Sequence, residues 1–329
     1  VTQTGQQQDR QQQTRRRQGP RPLPLHLNLL ALSCLSSLPA WALSKAGSLP
    51  WSGEIARRAA ALQPALDAAA PDAFIAALDQ AARRRLGRFM RAVQHYRHHP
   101  YRRDLPDMPV LWQQDEARLL DYGATLPANS PALLAVPSLV NRAYILDLAR
   151  DSSFLRWLPG AGIRPFLLDW GRPGAIERDF TLTDYIAGPL EAAIVQVANQ
   201  TRRPVHLLGY CMGGLLTLAA SLRRPDLIAS LILLATPWDF HADRAHQRRL
   251  APALPLLAGL AGQWGELPVD LLQILFSGLD PLLSLRKFDR FGQMPPDSPQ
   301  ARAFVALEDW ANDGVALAGP VARECLQGW

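Results

Sequence analysis

The chain has 329 residues, 48% of them apolar, enough to bury a sizeable core and above the ~100–200 residues usual for one domain. Its three cysteines, Cys34, Cys211 and Cys325, are too few and too scattered for a disulfide framework or a metal site, and they fit a reducing compartment. The net charge of +6 comes from the front: residues 1–120 carry 17 Lys+Arg against 9 Asp+Glu and residues 121–329 carry 18 against 20, with no nucleic-acid motif to suggest such a partner.

Residues 1–20 are rich in Gln and Arg and nearly free of large apolar side chains, which predicts a disordered tail. Residues 21–104 read as a basic helical N-terminal region. It opens on a leucine-rich stretch, Leu23 to Leu43, behind Arg15-Arg16-Arg17. Ala40-Trp41-Ala42 imitates the cleavage site of a secretory signal. Pro22, Pro24, His26, Asn28 and Pro39 interrupt the apolar run, however, and its length is marginal for a bilayer. The expectation is no transmembrane span, and an apolar segment that lies on a surface or packs on the main domain. From Ile55 to Arg103, apolar residues at helical spacing, such as Phe74, Ala77, Leu78, Ala81 and Ala82, predict two or three helices. His95 and His99 share a helix face without an evident third ligand, so a solvated helix end is the simpler reading and no metal is expected.

The texture changes near Leu105, and residues 105–329 read as an α/β domain. Ala132 to Val136, Arg164 to Trp170, Val205 to Tyr210 and Ile228 to Pro237 are apolar runs of strand length. They alternate with helix-like stretches at about 142–158, 181–199 and 212–223. Such alternation predicts a doubly wound, mostly parallel sheet covered on both faces, with ligands beyond the carboxyl ends of its strands. At one such end stands Gly209-Tyr210-Cys211-Met212-Gly213-Gly214, which reads as the strand-to-helix nucleophile elbow with cysteine in the place of serine. An acyl group on sulfur is a thioester and keeps the transfer potential of a thioester donor, which a serine ester loses. The plain alternative is an ordinary strand-turn-helix joint with a buried, inert thiol. Elbow geometry makes the Met212 N–H one oxyanion donor. The Leu- and Pro-rich stretch from Ala251 to Phe291 follows the strand ending at Pro237 and predicts a cap, bounded at about 241–306, that excludes water from the nucleophile.

Four segments together carry a family likeness: Pro137-Ser138-Leu139-Val140-Asn141-Arg142-Ala143-Tyr144-Ile145-Leu146-Asp147-Leu148, Asp169-Trp170-Gly171-Arg172-Pro173, Thr181-Leu182-Thr183-Asp184-Tyr185-Ile186 and the elbow. In order and approximate spacing they resemble the polyhydroxyalkanoate synthases, most closely the short subunits that work with a second protein. The likeness covers residues 105–329 well and the front end loosely. The elbow alone is shared with the dienelactone hydrolases.

The resemblance implies an α/β-hydrolase fold in which Cys211 carries a growing 3-hydroxyacyl chain fed from hydroxyacyl-coenzyme A, a substrate, with no further cofactor. It implies a second oxyanion donor from the Val140 N–H, while Asn141 and Asp147 shape the loop and flank a helix. Implied partners are hydroxyacyl-coenzyme A, the polyhydroxyalkanoate chain or granule, and a homo-oligomer or second synthase subunit. The implied location is cytoplasmic, at the granule surface.

The family also uses an aspartate and a histidine late in the chain. After Cys211 the histidines are His241 and His246, just past Thr236-Pro237-Trp238-Asp239-Phe240, and residues 247–329 hold none. The usual acid and base and the last two strands are therefore expected to be missing from this sequence, and the chain as written to have little synthase activity. Asp239 and His241 are disfavoured substitutes, Asp239 because the family has an aspartate in a similar setting without using it as the acid. His206 reads as a core histidine. Two readings of other classes stand beside the synthase. One is a cysteine hydrolase of the dienelactone or depolymerase type, the other a noncatalytic homologue that binds granules.

Overall fold

The computed structural model of the chain describes residues 17–51, 53–240, 242 and 251–328. They fall into two compact units, one made of residues up to Pro100 with Asp280–Ala301, the other of Tyr101–Leu279 with the residues from Arg302 onward.

The first unit is helical: α1 (Leu23–Leu35), α2 (Ser37–Lys45), α3 (Gly53–Ala68) and α4 (Pro71–His98), together with the helix Leu283–Phe291. α4 starts with Pro71 and Asp72 and ends with His95, Arg97 and His98, the charge order that the helix dipole favours. Its buried Phe89, Ala92, Val93 and Tyr96 recur at helical spacing, and Phe288 meets Phe89 and Tyr96 edge-on at 5.9 and 5.7 Å. Of the tail expected to be disordered, residues 1–16 lie outside the described residues. Arg17 lies over the Tyr96 ring and donates to the His99 carbonyl at 2.6 Å.

The interrupting prolines do less than the sequence suggested. Pro22 is the N-cap of α1, and Pro24 and Pro39 lie in the first turns of α1 and α2, where no intrahelical N–H is lost. By length and composition Leu23–Lys45 is therefore long and apolar enough to cross a membrane, a test that core helices and signal sequences also pass. Leu32 is 61% exposed.

The second unit holds a six-stranded sheet built from β1 (Val110–Gln114), β2 (Ala117–Asp121), β3 (Ala132–Val136), β6 (Arg164–Asp169), β7 (Val205–Tyr210) and β8 (Ile228–Leu234); between β3 and β6 lies a small separate hairpin, β4 (Asp147–Ala149) and β5 (Ser152–Ser153). The order is β1-β2-β6-β3-β7-β8, with β1, β2 and β6 antiparallel and β6, β3, β7 and β8 parallel. This is the mostly parallel sheet that the alternation predicted, and it agrees with the α/β-hydrolase fold that the resemblance implies. β3 is buried throughout because it is covered twice: Leu134 and Val136 belong to one core with Phe166, Leu168 and Leu207, and Leu133 and Ala135 to another with Leu167 and Leu208.

The helix expected at about 142–158 is not there. The chain makes a 3-10 turn at Ala143–Leu146, the β4–β5 hairpin, and one helical turn, α5 (Phe154–Trp157). Asp147 is the cause. Its side chain is 1% exposed and draws Arg103, Arg156, Tyr122 and Ser153 around it, and a continuous helix would not deliver those donors to one carboxylate. β1 and β2 leave no clear strand pattern in the sequence, because Gln113, Gln114, Asp115 and Glu116 interrupt their apolar residues. Of the residues expected as a cap, Leu254–Trp264 and Val269–Ser277 pack in the second unit and Leu283–Phe291 in the first. β8 is an edge of the described sheet, with Ile232, Leu233 and Leu234 at 43, 45 and 41% exposure.

Candidate active site

Cys211 stands between β7 and the helix α6 (Met212–Arg223), at φ 54° and ψ −128°, backbone angles that cost a non-glycine residue strain. Its N–H is tied to the Leu234 carbonyl of β8 at 2.9 Å, and its own carbonyl accepts from Gly214 N–H at 2.9 Å. The three glycines around it are required by close approach. A Cβ on Gly213 would run into the carbonyl oxygens of Val136 and Pro137, one on Gly214 into the Thr236 side chain, and one on Gly209 into Gly214 and Thr217. The strand-turn-helix context of an elbow is thus complete, and the first N–H groups of α6, starting with Met212, have no acceptor within their own helix.

The loop after β3 passes beside this turn and is held from two sides. Trp170 Nε1 donates to the Pro137 carbonyl at 3.0 Å, and its ring meets Tyr185 edge-on at 5.5 Å. The Asp-Trp-Gly and Thr-Leu-x-Asp-Tyr segments therefore meet. Thr181 and Asp184 close a capping box that starts the short helix carrying Tyr185. On the other side the Val140 carbonyl accepts from Val315 N–H at 2.8 Å, and Trp310 Nε1 donates to the Arg142 carbonyl at 2.8 Å. The Val140 N–H itself donates to Ser138 Oγ at 3.1 Å, so an oxyanion would have to take that bond over from the hydroxyl. Just beyond, Asp147 receives Arg103 at 2.8 Å, Arg156 at 2.8 and 3.0 Å and Tyr122 OH at 3.1 Å. Burial and that carboxylate push the Tyr122 hydroxyl well above the usual tyrosine range. Asp147, which directly follows the 3-10 turn Ala143–Leu146, is also a buried anchor.

Among the described residues, none of the other expected groups is hydrogen-bonded to the thiol. Cys211 makes no side-chain hydrogen bond among the described residues. Asp239 is exposed. His241 and His246 lie outside the described residues. His206, expected in the core, is half-buried in mid-strand, its Nδ1 2.8 Å from Ser230 Oγ of the neighbouring edge strand. The uncovered edge explains the difference. His95 and His99 have ring centroids 6.1 Å apart on either side of Phe291, and His99 Nε2 is engaged with the Pro296 carbonyl at 2.9 Å. All three cysteines are free thiols, and burial pushes Cys325 up to about 12.

A family model for the alpha/beta hydrolase fold matches residues 158–260. The chain is 27% identical over 222 residues to the poly(3-hydroxyalkanoate) polymerase subunit PhaC of Haloferax mediterranei, covering 66% of this chain and 45% of that one. It is 29% identical over 220 residues to the same subunit of Allochromatium vinosum, covering 64% and 61%. The chain thus spans about half to three fifths of the length of these curated relatives. Among solved structures it is similar to a monoacylglycerol lipase of Paleococcus ferrophilus, at 16% identity and a TM-score of 0.36 over 64% of this chain and 68% of that one.

Proposed function

We propose that this chain, an α/β-hydrolase-fold relative of the poly(3-hydroxyalkanoate) polymerases, carries the nucleophile of an acyltransferase that builds polyester from 3-hydroxyacyl-coenzyme A. The observation behind this reading is Cys211 in a strained turn whose neighbours admit only glycine. In the proposed step Cys211 Sγ attacks the thioester carbonyl, coenzyme A leaves as the thiol with the cysteine's proton, and the acyl group rests on sulfur. The hydroxyl of a second hydroxyacyl group then attacks that carbonyl, gives its proton back to Sγ, and restores the free thiol with one new ester bond. The Met212 N–H and a donor from the loop after β3, Val140 or a neighbour, would stabilise the oxyanion in both halves.

Deprotonation of the thiol is the weak step in this chain, because no base is hydrogen-bonded to it among the described residues. Elongation by the 329 residues alone is therefore proposed to be slow, by the orders of magnitude that loss of one member of a catalytic set removes. A cytoplasmic setting follows from a substrate that is an intracellular thioester and a nucleophile that must stay reduced. The exposed leucine Leu32 on α1 and Leu43 on α2 support attachment to an apolar polymer surface, with a second synthase subunit or a further copy of the chain as protein partner.

The test is intact-mass analysis after mixing with 3-hydroxybutyryl-coenzyme A. One acyl adduct on the wild type and none on Cys211→Ala is expected. An adduct of equal yield on both sinks the proposal. Release of free hydroxy acid without any adduct or polymer favours the hydrolase reading instead.

A further inference from the structure

We propose that the helical unit carries an anion site of its own, in the groove between α4 and the helix Leu283–Phe291, built for a diphosphate group. It stands on observations separate from Cys211. The groove encloses about 380 Å³ and is lined by Arg88, Arg91, Ala92 and His95 on one side and Asp289, Gly292 and Gln293 on the other. Its floor is close-set, since a Cβ on Gly292 would come 3.1 Å from that of Ala92.

Arg88, Arg91 and His95 follow one another at i, i+3 and i+7, so the three donors stand along about 10 Å of one helix face. Their surroundings leave cationic charge over. Arg88 is bound to Asp289 by Nε and Oδ1 at 2.9 Å, and Arg91 has no carboxylate partner among the described residues. No acidic residue occurs between Gln80 and Arg103 to compensate it. The Arg91 guanidinium lies back over Gly87, which has no side chain to hold it there. The His95 ring is steadied by Phe291 at 5.1 Å. The Arg91 guanidinium, the Nη groups that Arg88 keeps beside its Nε bond to Asp289, and an imidazole, spread over two helical turns, suit an elongated polyanion better than one carboxylate, which a single fork would satisfy. The diphosphate could be free or part of a nucleotide.

Isothermal titration of the full chain with inorganic diphosphate, and separately with ADP, tests this. Saturable binding of one diphosphate per chain is expected, weakened tenfold or more by Arg91→Gln and less by Arg91→Lys. Arg84→Gln, on the same helix outside the groove, should leave it within twofold. Tighter binding of ADP than of the inorganic ion assigns the site to a nucleotide, and the reverse assigns it to the free ion. Far-ultraviolet circular dichroism of each variant separates lost binding from lost folding. Absence of saturable binding by the wild type overturns the proposal. So does equal weakening by Arg84→Gln and a folded Arg91→Gln, which would reduce the groove to diffuse attraction between basic helices and polyanions.

Discussion

The loop that follows β3 and the strand β8 flank the nucleophile turn on opposite sides of β7 and are built on opposite terms. Toward β3, Pro137 is fixed by Trp170, Val140 by Ser138 and Val315, Arg142 by Trp310, and the far end by Asp147 with its two arginines. Toward β8, one backbone bond from Cys211 holds the turn, and beyond it Ile232, Leu233 and Leu234 are exposed on a strand with no charged side chain. The side that would hold a negative oxygen is determined many times over. The side from which a base would approach is open among the described residues. A turn held at φ 54° keeps its strain only where surrounding structure outweighs it, and here that support comes almost wholly from the β3 side.

The comparison breaks first at the turn itself. Gly213→Val forces side-chain atoms into the carbonyl oxygens of Val136 and Pro137, and we expect it to cost more than the ~1–3 kcal/mol usual for overpacking, because the obstruction is backbone on the firmly held β3 side. Urea denaturation should show either an unfolded protein or a midpoint lowered accordingly. Asp147→Ala leaves the half-buried Arg103 and Arg156 without their carboxylate and should cost about 3 kcal/mol, at the lower end of the range for broken buried pairs because both arginines keep some water. If that variant unfolds at the wild-type midpoint, the β3 side is not the firm one.

The thiols offer a chemical version of the same contrast. Burial raises the Cys325 pKa to about 12, so the neutral form persists far above neutrality and iodoacetamide should leave Cys325 unlabelled between pH 7 and 9. Cys211 in its open turn should label first, as peptide mapping would show; the reverse order would place Cys211 in a closed pocket. The smallest effect is expected at β8. Leu233→Lys should change stability by no more than about 0.5 kcal/mol, the usual range for an exposed position. A loss several times larger would mean that something covers this strand in solution.

Much of the β3–β7 region was legible because buried parallel strands are unbroken apolar runs, and Ala132–Val136 and Val205–Tyr210 have the limits their sequence suggests. Met212–Arg223 follows the same logic, since an elbow fixes where its helix must start. The sequence misled at 142–158, where Ile145, Leu148 and Ala149 carry helical spacing but the pairing of Asp147 with Arg156 and with Arg103, 44 residues away, decides the fold. Long-range charge pairing leaves no periodic trace. For the site, Cys211 and its glycines could be read from local sterics, whereas the grip of Trp170 on Pro137 joins residues 33 apart and needed the structure.

The central claim is that the strained turn presents Cys211 as the atom that takes an acyl group from coenzyme A. Coenzyme A released in a single turnover, with the chain in excess over 3-hydroxybutyryl-coenzyme A, reads this most directly, since the thiol leaves as the acyl group moves to sulfur. The account predicts one coenzyme A released per substrate by the wild-type chain, however slowly the unassisted thiol reacts, and none above the spontaneous rate by Cys211→Ala. Equal release by Cys211→Ala, or none by the wild type, would contradict it.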